Sequence, residues 1–328
     1  MRLGVIGAGQ FAQGVLLPAF ARQKSVGFQS FCTASGFTSK AIAERYKAAT
    51  CTSDPSEVIE DENIDAVLIA TRHDQHAPLA LQALRAGKAV FVEKPLALDA
   101  ESLESLCEFA RENGPPRLMV GFNRRFSPLA AQCRSYFEGA NEPVSALYRV
   151  NAGALPRDSW VFDPVRGGGR IIGEGCHFID TLCYLTGALP TRVYAESLVA
   201  EGERTLDRDT VSISLRMSNG SICTIQYLAN GDPSLPKEYC EVFGGKKSAI
   251  LDNYRTLTLH RGNRKRKRRL MNQEKGFKEE AAAFVDAVKS GGPMPIDFES
   301  LVAVTCATFL VHESLDNGSA VDLDLAWS

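Results

Sequence analysis

The stretch that decides the fold lies at the N-terminus and reads Leu3-Gly4-Val5-Ile6-Gly7-Ala8-Gly9-Gln10-Phe11-Ala12. A short apolar run enters a glycine-rich turn, and a helical pattern follows over residues 11–21. The turn has the form G-x-G-x-x-A, which is typical of a strand–turn–helix unit that binds a dinucleotide. In such a unit the glycines allow a tight turn and a close approach of the pyrophosphate, which sits at the helix N-terminus. The predicted cofactor-binding residues of this turn are Gly7, Gly9, Gln10, Phe11 and Ala12.

Outward from this turn, short apolar runs alternate with helical patterns up to about residue 121. The predicted strands cover residues 3–6, 27–32, 66–70, 89–93 and 117–121, and the predicted helices cover residues 11–21, 39–46, 76–86 and 100–112. Alternation with connections of this length requires right-handed crossovers between parallel strands. Residues 1–121 are therefore predicted to form an α/β Rossmann domain with a doubly wound parallel sheet.

The pattern changes after residue 122, where strands predominate. Predicted strands cover residues 144–150, 192–197, 211–217, 222–228, 238–243, 248–251 and 256–260, and predicted helices cover residues 175–186, 277–290 and 298–317. The run Val211-Ser212-Ile213-Ser214-Leu215 alternates apolar and polar residues, as in an antiparallel sheet with one solvated face. Residues 122–328 are predicted to form a C-terminal α+β domain with an open, mainly antiparallel sheet, for substrate binding and oligomerisation.

Composition excludes several classes of protein. The 328 residues carry 37 Lys and Arg against 39 Asp and Glu, so the net charge of −2 does not indicate a nucleic-acid partner. No apolar run reaches the roughly 20 residues of a membrane span, and the N-terminus has no secretory pattern. The nine cysteines include no Cys-x-x-Cys pair, so neither a disulfide framework nor a metal site is expected. We expect a cytoplasmic protein with free thiols, no metal, and no membrane partner.

The end of the second predicted strand bears on the choice of cofactor. NAD-binding domains usually have an acidic residue here that binds the ribose 2′-hydroxyl. The run Phe31-Cys32-Thr33-Ala34-Ser35-Gly36-Phe37-Thr38-Ser39-Lys40 contains no Asp or Glu. Ser35, Ser39 and Lys40 would suit a 2′-phosphate, which favours NADP over NAD. In the alternative interpretation, Ser39 only caps the following helix and Lys40 is solvated.

A lysine follows the fourth predicted strand, in the run Val92-Glu93-Lys94-Pro95. Doubly wound sheets bind their ligands at the carboxyl ends of the strands. An ammonium group beside a carboxylate at this edge is suited to orient a substrate hydroxyl and to stabilise developing alkoxide charge. A Lys-Pro pair at a strand end also indicates a turn, for which a cis peptide is an option. The alternative interpretation is a surface lysine at a turn.

The second domain contains a glycine-rich run, Gly167-Gly168-Gly169-Arg170-Ile171-Ile172-Gly173-Glu174-Gly175-Cys176-His177-Phe178-Ile179-Asp180. His177 and Asp180 are three residues apart and hence neighbours on a helix surface. A histidine there is suited to take a hydroxyl proton as hydride leaves the carbon. The alternative is a structural histidine paired with Asp180. No further His or Cys supports a metal site at this run.

Together these stretches resemble the Gfo/Idh/MocA oxidoreductases, the family of glucose–fructose oxidoreductase and inositol dehydrogenase. Besides the two glycine-rich runs, the matching segments are Thr71-Arg72-His73-Asp74-Gln75-His76, Glu93-Lys94-Pro95 and Gly121-Phe122-Asn123-Arg124-Arg125-Phe126. The resemblance implies a Rossmann domain, a C-terminal domain whose sheet commonly forms oligomers, and hydride transfer between a nicotinamide and a carbon of a sugar or polyol.

The resemblance also implies roles for individual residues. Lys94 matches the active-site lysine of the family, and His177 matches its catalytic histidine. Additional predicted cofactor contacts are Thr71, Arg72, His73, His76 and Glu93. Additional predicted substrate contacts are Asn123, Arg124, Arg125 and Arg170, with Trp160 as a residue that would stack on a sugar ring. For Arg124 and Arg125, an exposed position at a helix start is an equal alternative.

One position departs from the family pattern GGGxxxDxGxH. The Asp four residues before the histidine is replaced by Gly173, and Glu174 follows it. Adjacent residues do not share a direction on a helix, so Glu174 reaches the place of the Asp only if the turn is rearranged. Glu174 is nevertheless the predicted third catalytic residue. This variant form is similar to a subgroup fused to a zinc-alcohol-dehydrogenase-like domain in polysaccharide gene clusters, which implies a glycan or nucleotide-linked sugar as substrate.

The main hypothesis is an NAD(P)-dependent oxidoreductase that acts on a sugar, a sugar derivative or a cyclic polyol and assembles as a homodimer or homotetramer. One alternative is a glycoside-processing enzyme with no net redox change and a tightly bound nicotinamide. Another is a catalytically silent nucleotide-binding sensor. The basic run Arg264-Lys265-Arg266-Lys267-Arg268-Arg269 would bind the phosphates of a substrate or a polyanion, or else form a solvated hairpin or a charged strand edge.

Overall fold

The computed structural model describes residues 1–139, 142–156, 158–198 and 208–324. The contacts divide the chain into two compact units. The first unit comprises residues 1–122, 165–167 and 277–302, and the second comprises residues 123–164, 168–276 and 303–328. Residues 277–302 thus belong with the N-terminal segment by their packing, although they follow the second unit in the chain. The division at residue 121 stays a prediction.

The first unit is built on a six-stranded sheet in which every strand pair is parallel. Its strands, in the spatial order 3-2-1-4-5-6, are β1 (Arg2–Ile6), β2 (Gly27–Cys32), β3 (Thr50–Thr52), β4 (Ala66–Ile69), β5 (Ala89–Val92) and β6 (Leu118–Val120). Its helices are α1 (Leu17–Ala21), α2 (Gly36–Tyr46), α3 (Pro55–Ile59), α4 (His76–Arg85), α5 (Ala100–Asn113) and α8 (Phe277–Ser290). This is the doubly wound Rossmann architecture that the alternating pattern predicted.

The central strands of this sheet are completely buried, as expected for parallel strands whose helical connections cover both faces. Every residue of β4 and of β5 is buried. On one side Phe284 from α8 meets Phe20 and Phe91 edge to face, with ring centroids 6.1 and 5.5 Å away. The strand order reverses between β1 and β4, so the ligand crevice of this architecture lies where those two strands end.

The second unit is built on a nine-stranded sheet. Its strands, in the spatial order 14-13-12-11-7-10-9-8-15, are β7 (Ser145–Asn151), β8 (Pro190–Ser197), β9 (Val211–Met217), β10 (Ile222–Leu228), β11 (Glu238–Gly244), β12 (Lys247–Asp252), β13 (Thr256–Arg261), β14 (Arg264–Arg269) and β15 (Val321–Asp322). All pairs are antiparallel except β7 with β10. Two helices, α6 (Pro128–Phe137) and α7 (Cys176–Thr186), lie wholly within the unit.

Alternating burial shows that one face of this sheet is open. In β9 the odd-numbered residues from Val211 to Met217 are buried, whereas the residues between them are at least partly exposed. The buried face packs on helices, since α6 contacts β12 and β13 and α7 contacts β10. The predicted α+β sheet with one solvated face is confirmed.

A last helix, α9 (Phe298–Asn317), begins in the first unit and continues in the second. Among the described residues it is the one helix that is long and apolar enough to cross a membrane by length and composition. Half of that apolar stretch is buried inside the protein, as in the core helix of a globular domain.

Candidate functional site

The dinucleotide turn follows β1 directly and depends on two glycines for different reasons. Gly7 adopts φ = +87°, and its N–H donates to the carbonyl of Cys32 at 2.9 Å. A Cβ at Gly7 would lie 2.5 Å from the carbonyl carbon and oxygen of Ala70, so the protein itself requires glycine there. A Cβ at Gly9 would meet no atom within 4 Å. Gly9 therefore faces open space at the helix start, as needed for a pyrophosphate to approach, and the turn fits a dinucleotide.

The other residues of the turn differ in exposure. Ala12 is buried, and Gln10 is exposed. Phe11 is partly exposed, but its ring meets Phe277 edge to face at 5.7 Å. Ala12 thus allows close packing of the helix, as expected, and Phe11 has a packing role besides the predicted cofactor contact.

The segment after β2 separates the three residues proposed for the 2′-phosphate. Ser39 is fully buried, and its hydroxyl donates to the carbonyl of Thr52 at 2.9 Å and accepts from the N–H of Thr33 at 3.0 Å. Because this hydroxyl ties α2 to the strands, Ser39 is unsuited to bind a phosphate. The alternative that it caps the helix is also wrong, since Ser35 is the N-cap residue. Ser35 and Lys40 are both exposed.

Two buried histidines lie just after β4, in the segment that resembles the family. Nδ1 of His73 lies 2.8 Å from the carbonyl oxygen of Gly167, and Nδ1 of His76 lies 2.7 Å from that of Pro95. Burial, together with the positive charge of Lys94, lowers the pKa of His73 to about 3 and that of His76 to about 4. Both imidazoles are therefore neutral at pH 7 and do not repel the lysine.

Lys94 stands two residues after β5, at the carboxyl edge of the parallel sheet. Its side chain is half-buried, and the peptide bond to Pro95 is cis. Glu93 is buried against Gly121, where a Cβ would lie 2.6 Å from Oε1 of the carboxylate. Gly121 therefore leaves the space that this carboxylate occupies. Lys94, His73 and His76 thus lie together at the carboxyl ends of β4 and β5 in the first unit.

In the second unit, His177 lies in the first turn of α7 and is buried. A π-helical turn, Ile171–Gly175, leads directly into the helix. Such turns often occur at functional sites. One helical turn beyond His177, both carboxylate oxygens of Asp180 accept hydrogen bonds from Arg125, at 3.1 and 2.5 Å. Burial raises the pKa of Asp180, and the guanidinium of Arg125 opposes that shift.

Glu174, on the π-helical turn, belongs to a cluster that we call the Glu174 cluster: Arg170, Glu174, Tyr227 and Lys237. Its carboxylate accepts a hydrogen bond from the Tyr227 hydroxyl at 2.5 Å and forms an ion pair with the Lys237 ammonium. The Arg170 guanidinium lies 3.7 Å from the same carboxylate and 5.2 Å from the centre of the Tyr227 ring. Burial and the neighbouring carboxylate raise the pKa of Tyr227 far above its usual value, so it stays a hydrogen-bond donor.

A second cluster of the same residue types is buried; we call it the Glu238 cluster: Arg124, Tyr148, Glu238 and Lys275. Arg124 donates to both oxygens of Glu238, at 2.7 and 3.0 Å, and stacks on Phe178. Lys275 pairs with the same carboxylate at 2.6 Å. The alternative prediction, that Arg124 is an exposed residue at a helix start, is therefore wrong. Because both oxygens of Glu238 already bind its guanidinium, the structure does not favour the predicted contact between Arg124 and substrate. Arg125 likewise is held in the ion pair with Asp180.

The remaining predicted substrate contacts have distinct surroundings. The Asn123 side chain is fully buried and donates to the carbonyl of Lys275 at 2.8 Å. Arg170 is buried and donates to the carbonyl of Gly153 at 2.5 Å. Trp160 lies in a short 3₁₀ turn, and its indole ring is exposed to solvent. Asn123 and Arg170 thus position the backbone of their unit.

Sequence inspection missed Tyr227 and Lys237. They are 53 and 63 residues from Glu174 in the chain and carry no local motif. Their positions on β10 and just before β11 bring them to Glu174, which no spacing rule indicates.

With this geometry established, comparison with known proteins decides the family. Residues 1–122 match the model of the GFO/IDH/MocA oxidoreductase family with an NAD-binding Rossmann fold, and residues 139–250 match that of the GFO/IDH/MocA C-terminal domain. The chain belongs to the Gfo/Idh/MocA oxidoreductases. The resemblance seen in the motifs is thus confirmed across both domains, and this family favours the oxidoreductase hypothesis over the two alternatives.

Individual relatives are similar over most of the chain. Inositol 2-dehydrogenase of Rhizobium meliloti is 31% identical over 267 residues, which cover 79% of this chain and 78% of that protein. Myo-inositol 2-dehydrogenase of Thermotoga maritima is 28% identical over 284 residues, 83% of each chain. The solved structure of levoglucosan dehydrogenase, complexed with NADH and levoglucosan, superposes with a TM-score of 0.83 at 25% identity, covering 98% of this chain and 99% of that one.

Proposed function

We propose that this oxidoreductase is an NAD(P)-dependent dehydrogenase that interconverts a ring hydroxyl and a ketone on a cyclic polyol, a sugar or a sugar derivative. The observation that carries the proposal is the position of Lys94. This cation stands at the carboxyl edge of the sheet, in the unit that holds the dinucleotide turn and beside two neutral histidines. The names of the relatives, which are inositol and anhydrosugar dehydrogenases, support the substrate class.

In the oxidative direction the substrate carbon loses a hydride and its hydroxyl loses a proton. A nicotinamide ring, when bound, supplies the acceptor for the hydride. We assign Lys94 to bind the hydroxyl oxygen and to stabilise the negative charge that develops there. We assign His177 as the base that takes the proton. Gly7, Gly9 and the helix start after them would hold the pyrophosphate.

Substitution of Lys94 tests the proposal. We expect Lys94→Met to lower kcat by at least about 100-fold on any inositol or sugar that the native enzyme oxidises, while the Kd for NADH or NADPH stays within about threefold. Lys24→Met, at an exposed lysine of the same unit, is the matched control and should leave both constants unchanged. A screen that follows reduced nicotinamide at 340 nm supplies the substrate. Native turnover in Lys94→Met would refute its assigned role.

His177 has its own test. In His177→Ala the proton acceptor is absent, so kcat should fall by about 100-fold or more. Added imidazole should restore part of the activity, with a pH dependence that follows the pKa of the free imidazole. A loss of activity that imidazole does not restore at any pH would contradict a role as the base.

The choice between NADP and NAD is part of the proposal. The absence of an acid after β2, together with the exposed Ser35 and Lys40, supports a preference for NADP. The acidic residues Asp54 and Glu57, which help burial to raise the pKa of the Cys32 thiol to about 11, oppose a 2′-phosphate nearby. Calorimetric titration with NADH and NADPH measures the preference directly. Lys40→Ala should weaken the binding of NADPH and leave the binding of NADH unchanged. Equal effects on the two affinities would show that Lys40 is not part of the cofactor site.

We also propose that the open face of the nine-stranded sheet joins copies of the chain across its central strands β7, β10 and β11. Phe243 and Ile222 flank Ser145 in the ladder, and Leu147 lies on the same face; all three apolar side chains are exposed. Exposed large apolar side chains grouped on one face of a sheet are typical of an interface. Ile222→Lys should convert the native dimer or tetramer, measured by light scattering, to a smaller species. The nine cysteines, all free thiols, support a reducing location such as the cytoplasm.

A further inference from the structure

The edge strand β14 is composed entirely of cations. Its sequence is Arg-Lys-Arg-Lys-Arg-Arg, and all six residues, Arg264–Arg269, are exposed. The chain as a whole has a net charge of −2, so this one strand of six cations leaves −8 for the rest. Within the described part of the chain, no residue of β14 belongs to an ion pair. The strand is therefore an uncompensated line of positive charge about 17 Å long.

The ladder places one further cation against this strand, since Arg261 pairs directly with Arg264. Like charges opposite one another destabilise a sheet. One or two lysines are enough to keep an edge strand from pairing with another chain. Six consecutive cations exceed that need, and binding of an anionic partner would relieve their mutual repulsion.

A concavity of about 530 Å³ lies at the tips of the two neighbouring hairpins. Its lining side chains are cationic or hydrogen-bonding, and none is an acid: Lys246, Ser248, His260, Arg261, Asn263, Arg264 and Lys265. The volume is within the range of ligand pockets, but the lining is polar rather than apolar. This composition suits carboxylate, sulfate or phosphate groups.

The position in the sheet separates this basic surface from the Glu174 cluster. The strands that line the concavity, β12 to β14, lie three to five strand spacings from β10, which carries Tyr227, or about 14–24 Å at roughly 4.8 Å each. Tyr227 also aligns with Glu238, whereas Ser248 of the concavity pairs with Phe243, which is five residues or about 17 Å further along β11. The concavity therefore does not serve the phosphates of a small substrate held at Glu174. It is a separate site.

We propose that β14 and the adjoining concavity bind a linear anionic polysaccharide. The ladder puts Lys265, Lys267 and Arg269 on one face of the strand, about 6.8 Å apart, so they suit a chain with regularly repeated charges. A nucleic acid would add base stacking on aromatic side chains, and neither β13, β14 nor the lining of the concavity contains an aromatic ring of Phe, Tyr or Trp. The inference goes beyond the proposed dehydrogenase function and does not depend on it.

The test measures binding of a fluorescent decamer of galacturonic acid to the full-length protein at about 0.15 M salt. We expect Lys265→Ser/Lys267→Ser/Arg269→Ser to bind it about tenfold more weakly. The matched control removes three exposed cations of the other unit, Arg22→Ser/Lys24→Ser/Lys289→Ser, and should bind like the native protein. Both variants should retain the native NADH affinity, and neither should melt below the native protein, since the β14 substitutions only relieve repulsion between like charges.

Each other outcome overturns the proposal. No binding by the native protein would leave β14 as a guard against edge-to-edge association. Equal losses in the two variants would show attraction by net charge alone. Tighter binding of a ten-nucleotide oligothymidylate would indicate a nucleic-acid surface. A change of oligomer mass in the β14 variant would make the strand an interface between copies of the chain.

Discussion

The Glu174 cluster and the Glu238 cluster contain the same four residue types and differ in their access to solvent. Each holds one glutamate with an arginine, a lysine and a tyrosine. The carboxylate side chain is 1% exposed at Glu238 and 21% exposed at Glu174, and the paired lysines are 18% and 36% exposed. A buried ion pair that loses one partner is strongly destabilised, whereas a pair that water reaches is not. The comparison teaches that the same four residue types form a buried structural cluster in one place and a partly solvent-accessible cluster in the other.

The largest effect on stability is expected at Glu238. Glu238→Gln leaves Arg124 and Lys275 buried without their counter-charge, which should cost about 3–5 kcal/mol of unfolding free energy. Chemical denaturation at pH 7 measures the loss. A cost below about 1 kcal/mol would show that the buried cluster is no more structural than the accessible one.

The next largest effect is expected from acid, which should lower the stability that the Glu238 cluster contributes. The charges of Arg124 and Lys275 outweigh burial and hold the pKa of Glu238 well below its usual value. A carboxyl with a lowered pKa in the fold contributes stability that is complete above its unfolded pKa of about 4.3 and is lost as the pH falls below that value. Denaturation from pH 6 down to pH 3 should therefore show a steeper loss in the native protein than in Glu238→Gln. Parallel curves would contradict the lowered pKa.

Removal of the hydroxyl of Tyr148 or of Tyr227 should have a smaller effect on the free energy of unfolding, and the two substitutions can be compared directly. Tyr148 donates to Glu238 at 2.7 Å and contacts the Tyr254 hydroxyl at 2.9 Å, so Tyr148→Phe should cost about 1.5–3 kcal/mol. Tyr227→Phe removes the corresponding bond to Glu174, and because that carboxylate is 21% exposed and keeps Lys237 as a partner, the change should cost under about 1 kcal/mol even though the Tyr227 ring is buried. Thermal unfolding of both variants under one condition gives the difference. Equal costs would break the distinction between the clusters.

The smallest change in stability, with a clear change in activity, is expected for Glu174→Gln. Its stability should stay within about 1 kcal/mol of the native value, because Lys237 is partly solvated and the buried Arg170 keeps a second carboxylate, Asp209, at 3.6 Å. If the cluster positions the segment before His177, kcat/KM should fall by about tenfold. Glu196→Gln, at an exposed carboxylate of β8, is the control and should change neither. Unaltered kinetics in Glu174→Gln would remove it from the catalytic residues.

Elements with strong periodicity were predictable, and short ones were not. The predicted bounds of β2, β9, β10, α8 and α9 agree with the structure. The strand β3 and the helices α3 and α6 were missed. Three residues in β3 and five in α3 are too short to show a period. In α6 the sequence Pro-Leu-Ala-Ala-Gln-Cys-Arg-Ser-Tyr-Phe mixes apolar and polar residues without a clear stripe.

The sequence by itself determined the dinucleotide turn, the strand-end lysine and the family. Such features depend on neighbours in the chain: Gly7 is required by a local φ of +87°, and Lys94 follows directly from a buried strand. Only the tertiary structure decided that Ser39 is buried, that Arg124 pairs with Glu238, and that Glu174 meets Tyr227 and Lys237. The physical reason is that burial and charge pairing depend on which distant strands become neighbours in the sheet, and no local pattern encodes that choice.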